Sequence, residues 1–200
     1  MKQTLAIVFG LAVVLAFFVG YEGTVKNGVS SGTGVQELNK EIRVGLPGLD
    51  DAGNGEIAFV KVKLVEGTGK VFIEFSQGEP LVGDETQSSI QTAFKVATKI
   101  AKDLGAADAD NVDAFYTFET DSDAVSGKSA GAAMTLATIA LLTGREENNG
   151  VLVTGTIEED ESIGIVSGVL EKAKAARQYN YTTILVPAGT SQAVKQEQVC

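Results

Sequence analysis

The run SAGAAMTLATIALLTG, residues 129–144, carries no charge and presents apolar or small side chains on every side of a helix. A helix without a polar face is stable only if other elements cover it all round, so this one is predicted to be central to the domain. Gly144 stands where a left-handed residue would close it.

The flanking segments are patterned to supply that cover. In EIAFVKVKLV, Ala58, Val60, Val62 and Leu64 share one face of a strand, with Lys61 and Lys63 on the other. EGTGK and VFIEF follow, predicting a β-hairpin with a Gly-containing loop. DETQSSIQTAFKVATKIAKDLG reads as an amphipathic helix with Ile90, Phe94, Ala97, Ala101 and Leu104 on its apolar face. Asp84 or Thr86 is its candidate cap and Gly105 its candidate end. NVDAFYTFET, GVLVTGTI and TTILVP read as strands, the last ending at Pro187, and SGVLEKAKAARQY as a helix. Strands come first, then helices and strands alternate. The expected architecture is one α/β (α+β) domain over residues 56–190, with a mixed sheet and packed helices. Residues 22–55, rich in Gly, Ser and Asn, read as a linker with irregular structure, and 191–200 as a polar tail.

Residues 3–21, QTLAIVFGLAVVLAFFVGY, hold no charge. At about 1.5 Å per residue they would cover roughly 28 Å as a helix, close to a hydrocarbon core. The segment 1–21 is therefore expected to be a single membrane anchor. A cleaved signal peptide, giving a secreted product, is the alternative, with Gly20 as a small residue but no clear cleavage pattern. Lys2 precedes the run, which places the domain outside the cytoplasm.

Composition removes whole classes of chemistry. There is no histidine, so neither a Ser-His-Asp nor a Cys-His arrangement can be built, nor any His-ligated metal site. The single cysteine is Cys200, so zinc ribbons and intramolecular disulfides are excluded. Neither a cofactor nor a metal is expected. Beyond residue 21, 15 basic side chains face 26 acidic ones, and no basic stripe suits a nucleic acid. Any catalytic base must be Lys, Asp, Glu or Tyr.

Two residues fit that restriction. Ser129 opens the central helix, with Gly127 before it and Ala130-Gly131 after it, where free N–H groups and the helix dipole could hold an oxyanion. A plain N-cap is the structural alternative. Lys172 falls with Val169, Ala173 and Ala176 at i, i+3, i+4 and i+7, on an apolar face, while Glu171 and Lys174 point elsewhere. Burial there would lower its pKa toward that of a base. A snorkelling lysine with a wet ammonium is the alternative. Gly127-Lys128-Ser129 also imitates the end of a phosphate loop, but Ser122 stands where its first glycine should be, and no apolar strand ends in a magnesium-binding Asp.

SGKSAGAAMTLATIALLTG, VLVTGTI, IVSGVLEKAKAA and TTILVP together resemble the proteolytic domain of the Lon protease family. That family carries its nucleophile in an S-A-G segment opening a long helix and its base in a G-G-x-x-x-K-x-x-A-A helix. The 43 positions from Ser129 to Lys172 match that dyad, and Thr154 matches the family's T-G threonine. GTGKVFIEF and DETQSSIQTAF resemble its first hairpin and helix. Two positions depart: Lys128 precedes the serine, and Ser167-Gly168 replaces the double glycine. The resemblance implies a serine endopeptidase with Ser129 as nucleophile, Lys172 as general base and Thr154 in support. It also implies unfolded or peptide substrates and a ring-shaped homo-oligomer, a hexamer. The family's ATPase domain has no room in 200 residues, so ATP-independent hydrolysis is expected. A catalytically silent, membrane-tethered peptide-binding or assembly module of the same fold is the alternative.

Overall fold

The computed structural model of the chain describes residues 6–8, 39–75 and 80–190. The expected tail at 191–200, the linker at 22–38 and most of the expected anchor lie outside them.

Within the span read as linker, Asn39–Leu49 form a strand, β2, which turns through residues 50–54 into β3, Gly55–Glu66. The two pair antiparallel over their whole length, Asn39 against Val65 and Leu49 against Gly55. Asp50 fastens the turn by accepting hydrogen bonds from the N–H groups of Ala52 and Asn54. Gly45, Pro47 and Gly48 hid this strand from pattern reading. They are tolerated because β2 lies at the sheet edge, where a missing N–H breaks no ladder.

The expected hairpin between β3 and VFIEF is not formed. β4, Val71–Ile73, runs parallel to β6, Val112–Glu119, and β6 lies between β3 and β4. The sheet order is β2-β3-β6-β4, and a separate short pair, β5, Leu81–Val82, and β7, Ala124–Val125, runs parallel. The alternation that named β3 holds: Ala58, Val60, Val62 and Leu64 are buried. A Gly-rich connection sets no register by itself, and β3 is already flanked by β2 and β6, so the free edge was that of β6.

Two helices cover the buried face of this sheet. Helix α1, Asp84–Asp103, buries Ile90, Phe94, Ala97 and Ala101 as expected, but Leu104 at its C-cap is exposed. Its N-cap is Gly83, not Asp84 or Thr86, and Gly105 follows in the left-handed conformation at φ +95°. Helix α2, Gly131–Thr143, is buried at every residue from Gly131 to Leu141 and closes on left-handed Gly144. One polar pair is sealed with it: the hydroxyls of Tyr116 and Thr138 lie 2.8 Å apart.

The second layer is a short parallel sheet. GVLVTGTI is not one strand: β8, Val151–Val153, ends at Thr154, and β9, Thr156–Ile157, turns away to pair with β10, Ile163–Gly164. Helix α3, Val169–Gln178, then leads to β11, Thr183–Leu185, parallel to β8. Residues Ala6–Val8, expected within a membrane helix, form a strand, β1, on the other side of β11. Three apolar residues such as these suit a parallel strand as well as a helix segment, and the length of the whole run alone argued for the helix. Among the described residues no helix is long and apolar enough to cross a membrane. Ile57, Leu152, Ala175, Ala176, Ile184 and Val186 form the core that joins α3 to both sheets.

Candidate active site

Ser129 lies one residue before the N-cap of α2, which is Ala130, and no side chain caps the helix. The plain N-cap reading of Ser129 is therefore set aside. Its carbonyl is held by two donors from the end of β8, Gly155 N–H at 2.9 Å and Thr154 Oγ1 at 3.3 Å. The N–H of Ala132 donates in turn to Gly155 O at 3.0 Å, so the β8–β9 break is locked onto the start of α2. Among the described residues the N–H groups of Ser129 and Ala130 have no hydrogen-bond acceptor.

Lys172 is 3% exposed, in the first turn of α3. That burial rules out a snorkelling ammonium. Its Nζ donates to Thr154 Oγ1 at 3.4 Å, and burial lowers its pKa to about 8. No carboxylate pairs with it among the described residues, so nothing offsets the desolvation. Lys174, two positions on, reaches Glu171 at 3.8 Å and is largely solvated.

Glycine places that helix. A side chain on Gly55 would overlap the carbonyl of Glu171, so α3 can settle onto the start of β3 only because residue 55 has none. Gly168, the N-cap of α3, takes φ +65°, and Leu49 packs against it.

Ser129 and Lys172 both line a cleft of about 420 Å³ between the β2 end, the loop 122–130 and the segment 165–167. Lys128, Asp51 and Glu56 share its walls, and Ser122 Oγ donates to Glu56 at 3.0 Å. Of the three residues singled out from sequence, two share the cleft and Thr154, 1% exposed, joins them from beneath. The direct hydrogen bond between Ser129 Oγ and Lys172 Nζ that a formed dyad would show is not among those of the described residues.

Sequence reasoning missed two hydroxyls. Thr86 Oγ1 donates to Gly127 O at 3.0 Å, and Ser89 Oγ to Lys128 O at 3.4 Å, both from the buried side of α1. The signal was present: Thr86, Ile90, Ala93 and Ala97 form one i, i+4, i+7, i+11 stripe, and a hydroxyl on an apolar stripe needs a polar partner.

A buried lysine and a serine at a helix entrance thus share one cleft of this α/β domain. The chain belongs to the Lon protease (S16) C-terminal proteolytic domain family, whose profile matches residues 35–198. It is 30% identical over 136 residues to a Lon protease of Methylocella silvestris, covering 67% of this chain and 16% of that protein. It is 29% identical over 133 residues to Lon protease 2 of Syntrophobacter fumaroxidans, covering 66% of this chain and 16% of that protein. A Lon protease of Buchnera aphidicola from Acyrthosiphon pisum is 31% identical over 135 residues, covering 66% and 17%. The aligned part thus spans about one-sixth of these relatives.

Proposed function

We propose that the chain is a serine endopeptidase in which Ser129 attacks and Lys172 is the base. The observation that carries the reading is Lys172 itself: a lysine 3% exposed, its ammonium held among the described residues only by a hydroxyl, with its pKa lowered to about 8 on the cleft that Ser129 lines. An ordinary lysine near 10.4 is protonated at neutral pH and cannot accept a proton. One near 8 is neutral in a useful fraction of molecules.

In the proposed reaction neutral Lys172 takes the proton from Ser129 Oγ as the oxygen bonds to the substrate carbonyl carbon. The N–H groups of Ser129 and Ala130 receive the oxyanion. As the C–N bond breaks, the Lys172 ammonium returns the proton to the leaving amine. A water molecule then gives a proton to Lys172 and attacks the acyl-serine carbonyl carbon, and the Lys172 ammonium returns that proton to Ser129 Oγ as the ester C–O bond breaks. Thr154 orients Lys172 in the third-group role of nucleophile activation. Peptide or unfolded substrates and a ring-shaped homo-oligomer belong to this reading on the strength of family membership. Hydrolysis by this chain proceeds without nucleotide, since it carries no complete phosphate loop.

The test is covalent. A fluorophosphonate should leave its adduct on Ser129 in peptide mass mapping and none in Ser129→Ala. A folded wild-type protein that never forms the adduct and cleaves no unfolded substrate, with or without ATP, would sink the reading and favour a silent binding module.

A further inference from the structure

We propose that Thr86 and Ser89 of α1 are positioning residues that aim the turn carrying the nucleophile, an inference that rests on Ser129 being that nucleophile. Both side chains are buried, at 0% and 4% exposure, on a helix none of whose residues lines the cleft. Thr86 Oγ1 reaches Gly127 O at 3.0 Å and Val125 O at 3.4 Å, and Ser89 Oγ reaches Lys128 O at 3.4 Å. Three carbonyls in the four residues before Ser129 are thus drawn toward one helix face.

The geometry of the peptide unit turns this into a statement about the oxyanion donors. A trans peptide is planar, and its N–H points opposite its C=O. Lys128 O is held by Ser89 Oγ and by Gly131 N–H at 3.0 Å, so the N–H of Ser129 is directed away from α1. Ser129 O is held by Gly155 N–H and Thr154 Oγ1, which fixes the N–H of Ala130 in the same manner. Two consecutive peptide planes are clamped by their carbonyls, and their free N–H groups remain for a ligand. Gly127, at φ +93°, is the pivot of this turn, and Thr86 holds its carbonyl. Gly131 admits the close approach: a side chain there would meet Ser89 Oγ at 2.8 Å.

The residues act through backbone orientation, so their loss should weaken binding of tetrahedral species more than binding of substrate. The experiment compares wild type with Thr86→Val, Thr86→Ser and Ser89→Ala. It measures kcat and KM on an unfolded protein substrate, the fluorophosphonate labelling rate at Ser129, affinity for a peptidyl boronate, and thermal midpoint. Thr86→Val should lower kcat, labelling rate and boronate affinity by about tenfold or more with KM little changed, since small misplacements at the reacting centre cost that much. Thr86→Ser should restore most of the loss, and Ser89→Ala should show a smaller loss of the same kind. If Thr86→Val does not fold, Ser89→Ala decides by the same ratio of boronate affinity to KM. Wild-type labelling with unchanged kcat and boronate affinity in folded variants would overturn the proposal. No adduct on the wild-type serine would instead remove the reading beneath it.

Discussion

Thr154 Oγ1 accepts a hydrogen bond from Lys172 Nζ at 3.4 Å and donates its own proton to the carbonyl of Ser129 at 3.3 Å. The hydroxyl therefore ties the lysine to the serine's backbone, not to its side chain. Among the described residues a proton on Nζ faces a neutral oxygen and no carboxylate, so the lowering of its pKa by burial is not offset.

The first prediction is the pH profile. With Lys172 at about 8, activity should rise with pH through a midpoint near that value and then level off. Lys172→Arg should abolish turnover, because arginine keeps the charge but does not deprotonate in this range. Lys174→Arg, on the solvated side of α3, should change little. Initial rates from pH 6 to 10 check this, and an unchanged profile in Lys172→Arg would contradict it.

The same lysine costs stability. A fall from 10.5 to about 8 corresponds to roughly 3 kcal/mol, at about 1.36 kcal/mol per pKa unit. The unfolded chain binds the proton more tightly between pH 8 and 10.5, so stability should rise with pH across that window. Lys172→Met should remove that slope and raise the denaturation midpoint at pH 7, while eliminating activity. Urea unfolding at pH 7, 8 and 10 measures both.

Glu147 should act in the opposite sense. Burial alone raises its pKa to about 7, in a small cavity that Tyr181 and Arg43 also line. The folded state then holds a proton that the unfolded chain has released, so stability should fall as pH rises from 4.5 to 7. Glu147→Gln should flatten this fall and be the more stable protein at pH 8, as thermal melts at pH 5 and pH 8 would show.

Gly55→Ala tests how α3 is seated. The added methyl would overlap the backbone of Glu171, next to Lys172, where no flexible side chain can give way. The expected result is destabilisation of about 1–3 kcal/mol from overpacking. Activity should fall further than the unfolded fraction explains, because α3 must shift with its lysine. Full activity in the folded variant would show that the helix position is not critical.

Much of this was legible in the residues. The all-apolar run from Gly131 to Leu141 could only be central, and it is buried throughout. The period-2 face of β3 and the 3.6-period face of α1 were fixed by side-chain spacing. The apolar neighbours of Lys172 put it on the buried face but left a snorkelling ammonium open. These features are local: each follows from which side of one element can leave water. What the chain could not announce was partnership. Pairing of β4 with β6 in place of β3, the strand hidden in Asn39–Leu49, and Ala6–Val8 beside β11 were decided by which edge was free to complete a ladder. The break at Thr154 and the carbonyls held by Thr86 and Ser89 were decided in the same way. They join residues 25 to 41 positions apart, and no periodicity within one segment encodes the partner that satisfies a buried hydroxyl in another.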